Sequence, residues 1–177
     1  MQYPRCEPHI CGSCSDPTTM TEDFPTTLAE LLRQEDELQF TAFDADTALA
    51  LGLRLVESAR HAGQAVMIDI RMGDLQLFQH AMRGATPDNA DWIRRKNNVV
   101  RRYAHSSFYM GMLYRSRGTS FEAQTGLDAR EYAAHGGAFP LLVRGVGPIG
   151  TVTVSGLPQA EDHAMVVAAL RAQLAAL

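Results

Sequence analysis

A β-hairpin is encoded in AVMIDIRMGDLQLFQH, residues 65–80. Its first half is rich in β-branched and apolar residues, Gly73-Asp74 supply a turn, and the second half alternates apolar and polar side chains. A second pair of strands is predicted at 138–144 and 149–155, joined by a glycine-rich connection. We therefore expect a mainly antiparallel sheet at the centre of the fold.

Helical patterns surround these strands. Asp44 is a predicted N-cap for a helix that runs to about His61 and ends at Gly63, with Leu49, Leu53 and Val56 on its buried face. The segment 128–134 is predicted as a short helix and 116–127 as a loop. The other predicted elements are helices at 26–38, 88–104, 106–115 and from Pro158 onwards, and a short strand at 39–43. Helices packed on an antiparallel sheet define the α+β class.

The composition is typical of a globular protein rather than a disordered one. The chain has 177 residues, 46% of them hydrophobic, and a formal net charge of −4. We expect one domain at 21–177 and a disordered extension at 1–20. No apolar run is long enough for a membrane span, and no signal peptide is recognisable, so a cytoplasmic location without a membrane partner is expected.

The small net charge conceals two regions of opposite sign. Residues 1–43 carry eight acidic and two basic side chains, whereas residues 88–117 carry two acidic and seven basic ones. Five cations fall within residues 94–102, which would suit nucleic acid. The mildly acidic total and the lack of aromatic residues interleaved on a strand argue against such a partner.

All three cysteines lie near the amino terminus. Cys6, Cys11 and Cys14, together with His9, could supply four zinc ligands, but the usual paired spacing is absent. A disordered tail, or an over-extended start with the natural one at Met20, is the preferred interpretation. Because the rest of the chain has no cysteine, we expect no internal disulfide.

The helix predicted at 88–104 carries cations where apolar residues are expected. Trp92, Arg95 and Lys96 share one face through helical spacing. A buried cation requires an acidic partner or an anionic ligand. Arg95 and Lys96 therefore predict an anion site, or ion pairs with Asp69 or Asp88, or side chains that extend to the surface.

Asp69 is a second polar residue in an apolar setting. It lies between Ile68 and Ile70 in a predicted strand. A carboxylate on a central strand usually pairs with a cation, and Arg95 and Lys96 are the candidates.

Two polar motifs follow the basic helix. His105-Ser106-Ser107 permits a hydrolase interpretation, in which imidazole accepts a hydroxyl proton, but a serine acting as N-cap of the next helix is the simpler one. Gly136-Gly137 would leave backbone N–H groups free for an anion, or would simply end a helix.

Asp162-His163 is a further motif, in the last helix. His163 is interpreted as a core histidine or a ligand, and Asp162 as a group that fixes the tautomer of a nearby histidine. The spacing of His105, His135 and His163 is not that of a metal site, so none is predicted.

Four segments together resemble an uncharacterised protein family of the haem-degrading domain superfamily, which includes the GlcG/HbpS-like proteins. They are Asp88-Asn89-x2-Trp92-Ile93-x-Arg95-Lys96, His105-Ser106-Ser107-x-Tyr109-Met110-Gly111, Glu131-Tyr132-Ala133-x-His135-Gly136-Gly137 and Val154-Ser155-Gly156-Leu157-x4-Asp162-His163.

The resemblance covers about residues 26–175 and implies profilin-like α/β/α layers around a sheet of about five strands. It also implies a symmetric homo-oligomer built from dimers. Some members of the superfamily bind or degrade haem, whereas the branch resembled here has no settled activity. The chain has no Cys-x2-Cys-His attachment site, so haem follows from kinship alone.

The leading hypothesis is a cytoplasmic, homo-oligomeric domain that binds a small anionic ligand, such as haem or another carboxylate-bearing molecule. A non-enzymatic assembly or adaptor protein, with the motif residues as a polar network at subunit interfaces, is the alternative, and a hydrolase comes third. Whether the chain is an enzyme stays open. The candidate catalytic residues are His105, His135 and His163, and the candidate ligand-binding residues are Asp69, Asn89, Trp92, Arg95, Lys96, Ser106, Ser107, Gly136, Gly137 and Asp162.

Overall fold

The two predicted hairpins form four adjacent strands of a five-stranded sheet in the computed structural model, which describes residues 23–177. The strand order is β1-β4-β5-β2-β3, with β1 parallel to β4 and every other pair antiparallel. The predicted α+β class with a mainly antiparallel sheet is confirmed. The predictions for residues 1–20, including those for the cysteines and Met20, lie outside the described residues.

Helices and strands follow one another along the described chain in nearly the predicted order. The helices are α1 (Phe24–Glu37), α2 (Ala45–Ala62), α3 (Pro87–Tyr103), α4 (Ser107–Ser116), α5 (Phe121–Thr125) and α6 (Gln159–Leu174). The strands are β1 (Gln39–Phe40), β2 (Met67–Met72), β3 (Leu75–Ala81), β4 (Ala138–Val143) and β5 (Gly147–Ser155). Within residues 23–177, no helix is both long and apolar enough to span a membrane.

The two faces of the sheet differ in polarity. Ile68 and Ile70 point towards α2 and α6 and belong to the main hydrophobic core. Asp69, between them, points to the opposite face, where α3 packs and where Asn97 donates a hydrogen bond to its carboxylate at 3.1 Å. Side chains alternate along a strand, so the residue between two core residues faces α3. The layers are therefore α/β/α, with an apolar core on one face and a polar contact on the other.

Helix α2 begins and ends at the predicted caps. The Asp44 carboxylate accepts a hydrogen bond from the Thr47 N–H at 2.8 Å, and Gly63 adopts the left-handed conformation with φ of 63°. Its predicted buried face is partly wrong, because Leu49 and Leu53 are 49% and 54% exposed. The apolar arc of α2 is wider than the side that the sheet and α6 cover.

The segment before β4 departs from prediction. Residues 116–127 contain α5, which Ser120 caps at the N–H of Ala123, although a loop was expected. Residues 128–134 form turns instead of the predicted helix. There the Asp128 carboxylate accepts the Arg130 N–H at 2.8 Å, and the Ala133 N–H donates to the Arg95 carbonyl on α3. Both hydrogen bonds compete with the backbone hydrogen bonds that a helix over this segment would form.

Candidate functional site

A cleft of about 300 Å³ lies between the first half of α3, the segment before β4, and the connection from β5 to α6. Three of the four sequence motifs contribute to its walls. Its lining residues are Asp88, Asn89, Trp92, Lys96, His135, Ser155, Gly156, Leu157, Gln159 and Asp162. The fold thus assembles one site from segments that are distant in sequence.

The beginning of α3 forms one wall of this cleft. The Asn89 amide oxygen accepts a hydrogen bond from the Thr86 N–H at 2.7 Å, which satisfies a donor at the helix start. One turn later, the Trp92 indole N–H donates to the Asp88 carboxylate at 3.1 Å. These local bonds hold the indole ring at the cleft wall.

Lys96 and Asp162 form a buried ion pair at the base of the cleft. The Lys96 Nζ lies 2.9 Å from Asp162 Oδ2 and 3.2 Å from the Val154 carbonyl oxygen. Lys96 is 3% exposed and Asp162 is 1% exposed. Burial lowers the pKa of the Lys96 ammonium and raises the pKa of the Asp162 carboxyl, and the attraction between the two charges opposes both shifts.

His135 is at the mouth of the cleft, exposed to solvent on one side. Its ring packs edge-on against the Trp92 indole, with the ring centroids 5.2 Å apart. Partial burial lowers the pKa of the imidazole, and the positive charges of Lys96 and Arg95 lower it further against the attraction of Glu122. Within residues 23–177, neither ring nitrogen of His135 has a hydrogen-bond partner. The neutral imidazole can therefore bind a metal or exchange a proton.

Ser107 fixes the segment that carries His135. Its hydroxyl donates to the His135 carbonyl oxygen at 2.5 Å and accepts a hydrogen bond from the Ala138 N–H at 3.1 Å. Ser107 is buried and is not among the residues that line the cleft. It lies behind the cleft and orients the loop.

Gly136 and Gly137 follow His135 in the chain but are not among the residues that line the cleft. The Gly136 N–H donates to the Gln159 side-chain oxygen at 3.3 Å. Gly137 has φ of +127°, and a Cβ there would lie 2.6 Å from the Lys96 Nζ. The absence of a side chain at Gly137 is therefore what allows Lys96 to approach the backbone.

Arg95 is not among the residues that line the cleft and lies against the Trp92 ring. Its guanidinium carbon is 4.0 Å from the centroid of the Trp92 ring, and its Nε lies 2.8 Å from an Asp91 carboxylate oxygen. The predicted ion pairs of Arg95 or Lys96 with Asp69 or Asp88 are wrong. Arg95 pairs with the residue one turn earlier on its own helix, and the fold brings Asp162 to Lys96.

Asp69 has different partners from those predicted. It lies away from the cleft of His135, and its carboxylate accepts hydrogen bonds from Arg71 Nε at 3.0 Å and from the Gln76 and Asn97 side-chain amides. Arg71 shares a strand face with Asp69 because the two are two residues apart.

Three other candidate residues lie away from the cleft. The Ser106 hydroxyl accepts the Tyr109 N–H and caps α4, which confirms the simpler of the two interpretations of this serine. His105 Nδ1 lies 2.6 Å from a Glu35 carboxylate oxygen, which ties the α3–α4 connection to α1. His163 is buried next to Phe108 and Phe139, and its Nε2 lies 2.9 Å from the Gln34 amide oxygen. Within residues 23–177, no imidazole is hydrogen-bonded to the hydroxyl of Ser106 or Ser107.

Burial has a strong effect on His163. It lowers the pKa of the imidazole to about 4, and the Nδ1 atom has no hydrogen-bond partner. His163 is thus a neutral core histidine, as the commoner interpretation expected. In the described part of the chain, no three His, Cys, Asp or Glu side chains lie together as a metal site.

Several lining residues were not among the predicted site residues. Asp88, Ser155, Gly156 and Leu157 belong to quoted motifs, so the sequence carried a signal for them. Gln159 carried none, and it lines the cleft because α6 begins immediately after Pro158.

Comparison with known proteins gives a consistent picture. Residues 43–171 match the model of the family described as haem degrading protein HbpS-like. A UPF0303 protein of Streptomyces avermitilis is 53% identical over 146 residues, which cover 82% of this chain and 90% of that protein.

Solved structures share the fold. The crystal structure of the Ybr137w protein is similar with a TM-score of 0.75 and 34% identity, over 82% of this chain and 86% of that one. The crystal structure of a PduOC:heme complex has a TM-score of 0.63 and 17% identity, over 74% of this chain and 94% of that one. The second likeness concerns the fold alone.

Proposed function

Because the chain belongs to the HbpS-like family of haem-degrading proteins, we propose that the cleft at His135 binds haem or a related planar molecule with carboxylate groups. The carrying observation is the imidazole of His135, which faces the cleft without a protein partner on either ring nitrogen. His105 and His163, which lie outside this cleft, are each hydrogen-bonded to another side chain.

The chemistry of the cleft fits such a ligand. Iron is bound by neutral imidazole, and the lowered pKa of His135 favours that form at neutral pH. The Trp92 ring beside it offers an aromatic face to an aromatic macrocycle. A volume of about 300 Å³ is at the small end of ligand sites, so the cleft would receive one edge of the macrocycle.

The remaining residues of the site would position this ligand. Arg95 stacks on the outer side of Trp92 and would meet a carboxylate at the rim, where its charge is only partly neutralised by Asp91. Lys96 already has Asp162 as its partner and would support the floor of the cleft rather than bind the anion. When bound, haem would supply redox chemistry at iron. We assign no reaction to the chain.

Haemin titration tests this function. We expect a saturable shift of the Soret band with one haemin per chain. His135→Ala should weaken binding by about tenfold or more, because it removes the imidazole that would hold the iron. His61→Ala is the matched control, since His61 is exposed on α2, away from the cleft. The absence of a saturable shift, or equal affinity of His135→Ala and the unchanged protein, would refute the proposal.

The alternative of an assembly protein has its own supporting observation. Leu49 and Leu53 on α2 are about half exposed, and Leu75 at the start of β3 is 60% exposed. β3 is an edge strand of the sheet, and exposed edges are usually covered in stable proteins. We propose that a second copy of the chain covers this side, as in a homo-oligomer.

Sedimentation velocity tests the assembly. A protein that forms dimers through α2 should sediment as an oligomer and shift towards monomer in Leu53→Glu. Leu177→Glu, at another exposed leucine, should leave the distribution unchanged. This interface would be contradicted if the unchanged protein sediments as a monomer, or if Leu53→Glu leaves the oligomer unchanged.

The location of the protein in the cell stays a prediction.

A further inference from the structure

A second cleft lies on the other side of α3, between that helix and the strands β2 and β3. Its volume is about 370 Å³. Its charged and amide-bearing lining includes Asp69, Arg71, Gln79, Arg94, Asn97 and Arg101. The two clefts use different sides of one helix and share no lining residue.

The charge of this second cleft differs from that of the first. Three guanidinium groups line it against one carboxylate, that of Asp69. The cleft at His135 has one ammonium group and the carboxylates of Asp88 and Asp162. Of these two clefts, the second is the one whose lining has an excess of positive charge, and it would attract an anion.

Asp69 holds one of these guanidinium groups in place. Its carboxylate is fully buried and accepts hydrogen bonds from Arg71 Nε at 3.0 Å and from the Asn97 amide at 3.1 Å. Asn97 is in turn bonded through its amide oxygen to the Thr153 hydroxyl. This network uses only the Nε of Arg71. The two terminal amino groups of Arg71 have no partner within residues 23–177, and the side chain is 32% exposed.

A guanidinium held in this way is preorganised to bind a planar or tetrahedral oxyanion. The terminal amino groups of arginine match the two oxygens of a carboxylate or phosphate. Because Asp69 has already restricted the Arg71 side chain, less conformational entropy would be lost on binding. A buried acidic residue beneath an arginine thus acts as a positioning group for it.

Arg101 supplies a second cation at the same cleft. Its Nη2 lies 2.8 Å from an oxygen of Asp74 and donates to the Gly73 carbonyl oxygen, which fixes it to the β2–β3 turn. Asp74 is almost fully exposed, so solvent screens its charge strongly. Arg94, by contrast, is paired with the carboxylates of both Asp91 and Glu131, which neutralise its charge, so Arg71 and Arg101 are the two cations offered to a ligand.

We propose that this second cleft is a binding site for a small oxyanion, a carboxylate or phosphate group, held by Arg71 and Arg101. The site is separate from the haem proposal and does not depend on it. Free phosphate and a carboxylate-bearing metabolite share this chemistry, and two probes distinguish them.

Isothermal titration with inorganic phosphate and with malonate, in buffer of low chloride content, tests the site. We expect saturable binding of at least one probe, weakened by added sodium chloride. Arg101→Gln should reduce the affinity about tenfold, as expected for loss of one charge-assisted contact. Arg130→Gln is the matched control, because Arg130 is highly exposed and pairs with Asp128.

Further variants complete the test. Arg71→Gln should also weaken binding, and if it fails to fold, Arg101→Gln alone decides. His135→Ala should keep oxyanion binding while its affinity for haemin falls, which separates the two proposals. Failure of both probes to bind saturably, or wild-type affinity in Arg101→Gln, would overturn the proposal.

Discussion

Replacement of Lys96 by methionine should destabilise the protein strongly. The substitution nearly keeps the length of the side chain but removes the ammonium that bonds Asp162 at 2.9 Å and the Val154 carbonyl at 3.2 Å. The Asp162 carboxylate, 1% exposed, would then be buried without its counter-charge. Breaking a buried pair in this way costs about 3–5 kcal/mol. The free energy of unfolding of a domain of this size is roughly 5–15 kcal/mol, so the substitution would remove a large share of its stability.

Thermal and urea denaturation followed by circular dichroism measure this effect. At about 2–4 °C per kcal/mol, the midpoint should fall by roughly 6–20 °C. Lys96→Met combined with Asp162→Asn should recover part of the loss, because the double variant buries no charge and the asparagine oxygen can still accept the Leu157 N–H.

The pH dependence of the stability difference between Lys96→Met and the unchanged protein gives an independent check. In Lys96→Met, burial without a counter-charge holds the pKa of Asp162 above its unfolded value of 3.8. The folded variant then binds a proton at Asp162 more tightly than the unfolded one. The loss of unfolding free energy relative to the unchanged protein should therefore be larger at about pH 8 than at about pH 5. A loss of unfolding free energy below about 1 kcal/mol in Lys96→Met would refute the reasoning. So would a larger loss that is reduced neither by lower pH nor by adding Asp162→Asn.

Two further predictions concern His163 and Gly137. The pKa of His163 is about 4 when folded, against the ordinary 6.5 of a solvated imidazole, so the unfolded state binds more protons between these values. The free energy of unfolding should fall by roughly 3 kcal/mol as the pH drops from 6.5 to 4, as urea midpoints would show. His163→Leu should lack this contribution. If stability depended on pH equally in His163→Leu and in the unchanged protein, the prediction would be contradicted. Gly137→Ala should cost about 2 kcal/mol or more, because φ is +127° and the new Cβ would lie 2.3 Å from the Val154 carbonyl oxygen. Gly118→Ala is its control, with φ of +71° and open space around the Cβ, and should cost about 1 kcal/mol or less in the same denaturation assay.

The elements that local patterns specify were predictable. Asp44 and Gly63 bound α2 as expected, because caps depend on residues within one turn. The two hairpins followed from β-rich runs separated by turns. Residues 128–134 were not predictable in this way, since the Ala133 N–H bonds across to α3 instead of along its own chain.

The candidate site was predictable in composition but not in its pairings. The spacing of Trp92 and Lys96 placed both on one helix face, and both line the cleft. The partner of Lys96 is Asp162, 66 residues later, and no local pattern encodes such a contact. Asp69 was recognised as a buried carboxylate, yet its cation, Arg71, lies on the same strand.

Lys96 has a consequence for chemical labelling. It is the single lysine in the sequence, and its ammonium is sealed beneath Gly137. Amine-reactive reagents therefore find no accessible lysine side chain on the folded protein, and acylation of Lys96 requires the α3–α6 contact to open. The rate of that acylation, compared with the rate for an unstructured lysine peptide, reports the free energy of this local opening. Lys96 acylation thus measures local opening of the structure at the cleft that His135 lines.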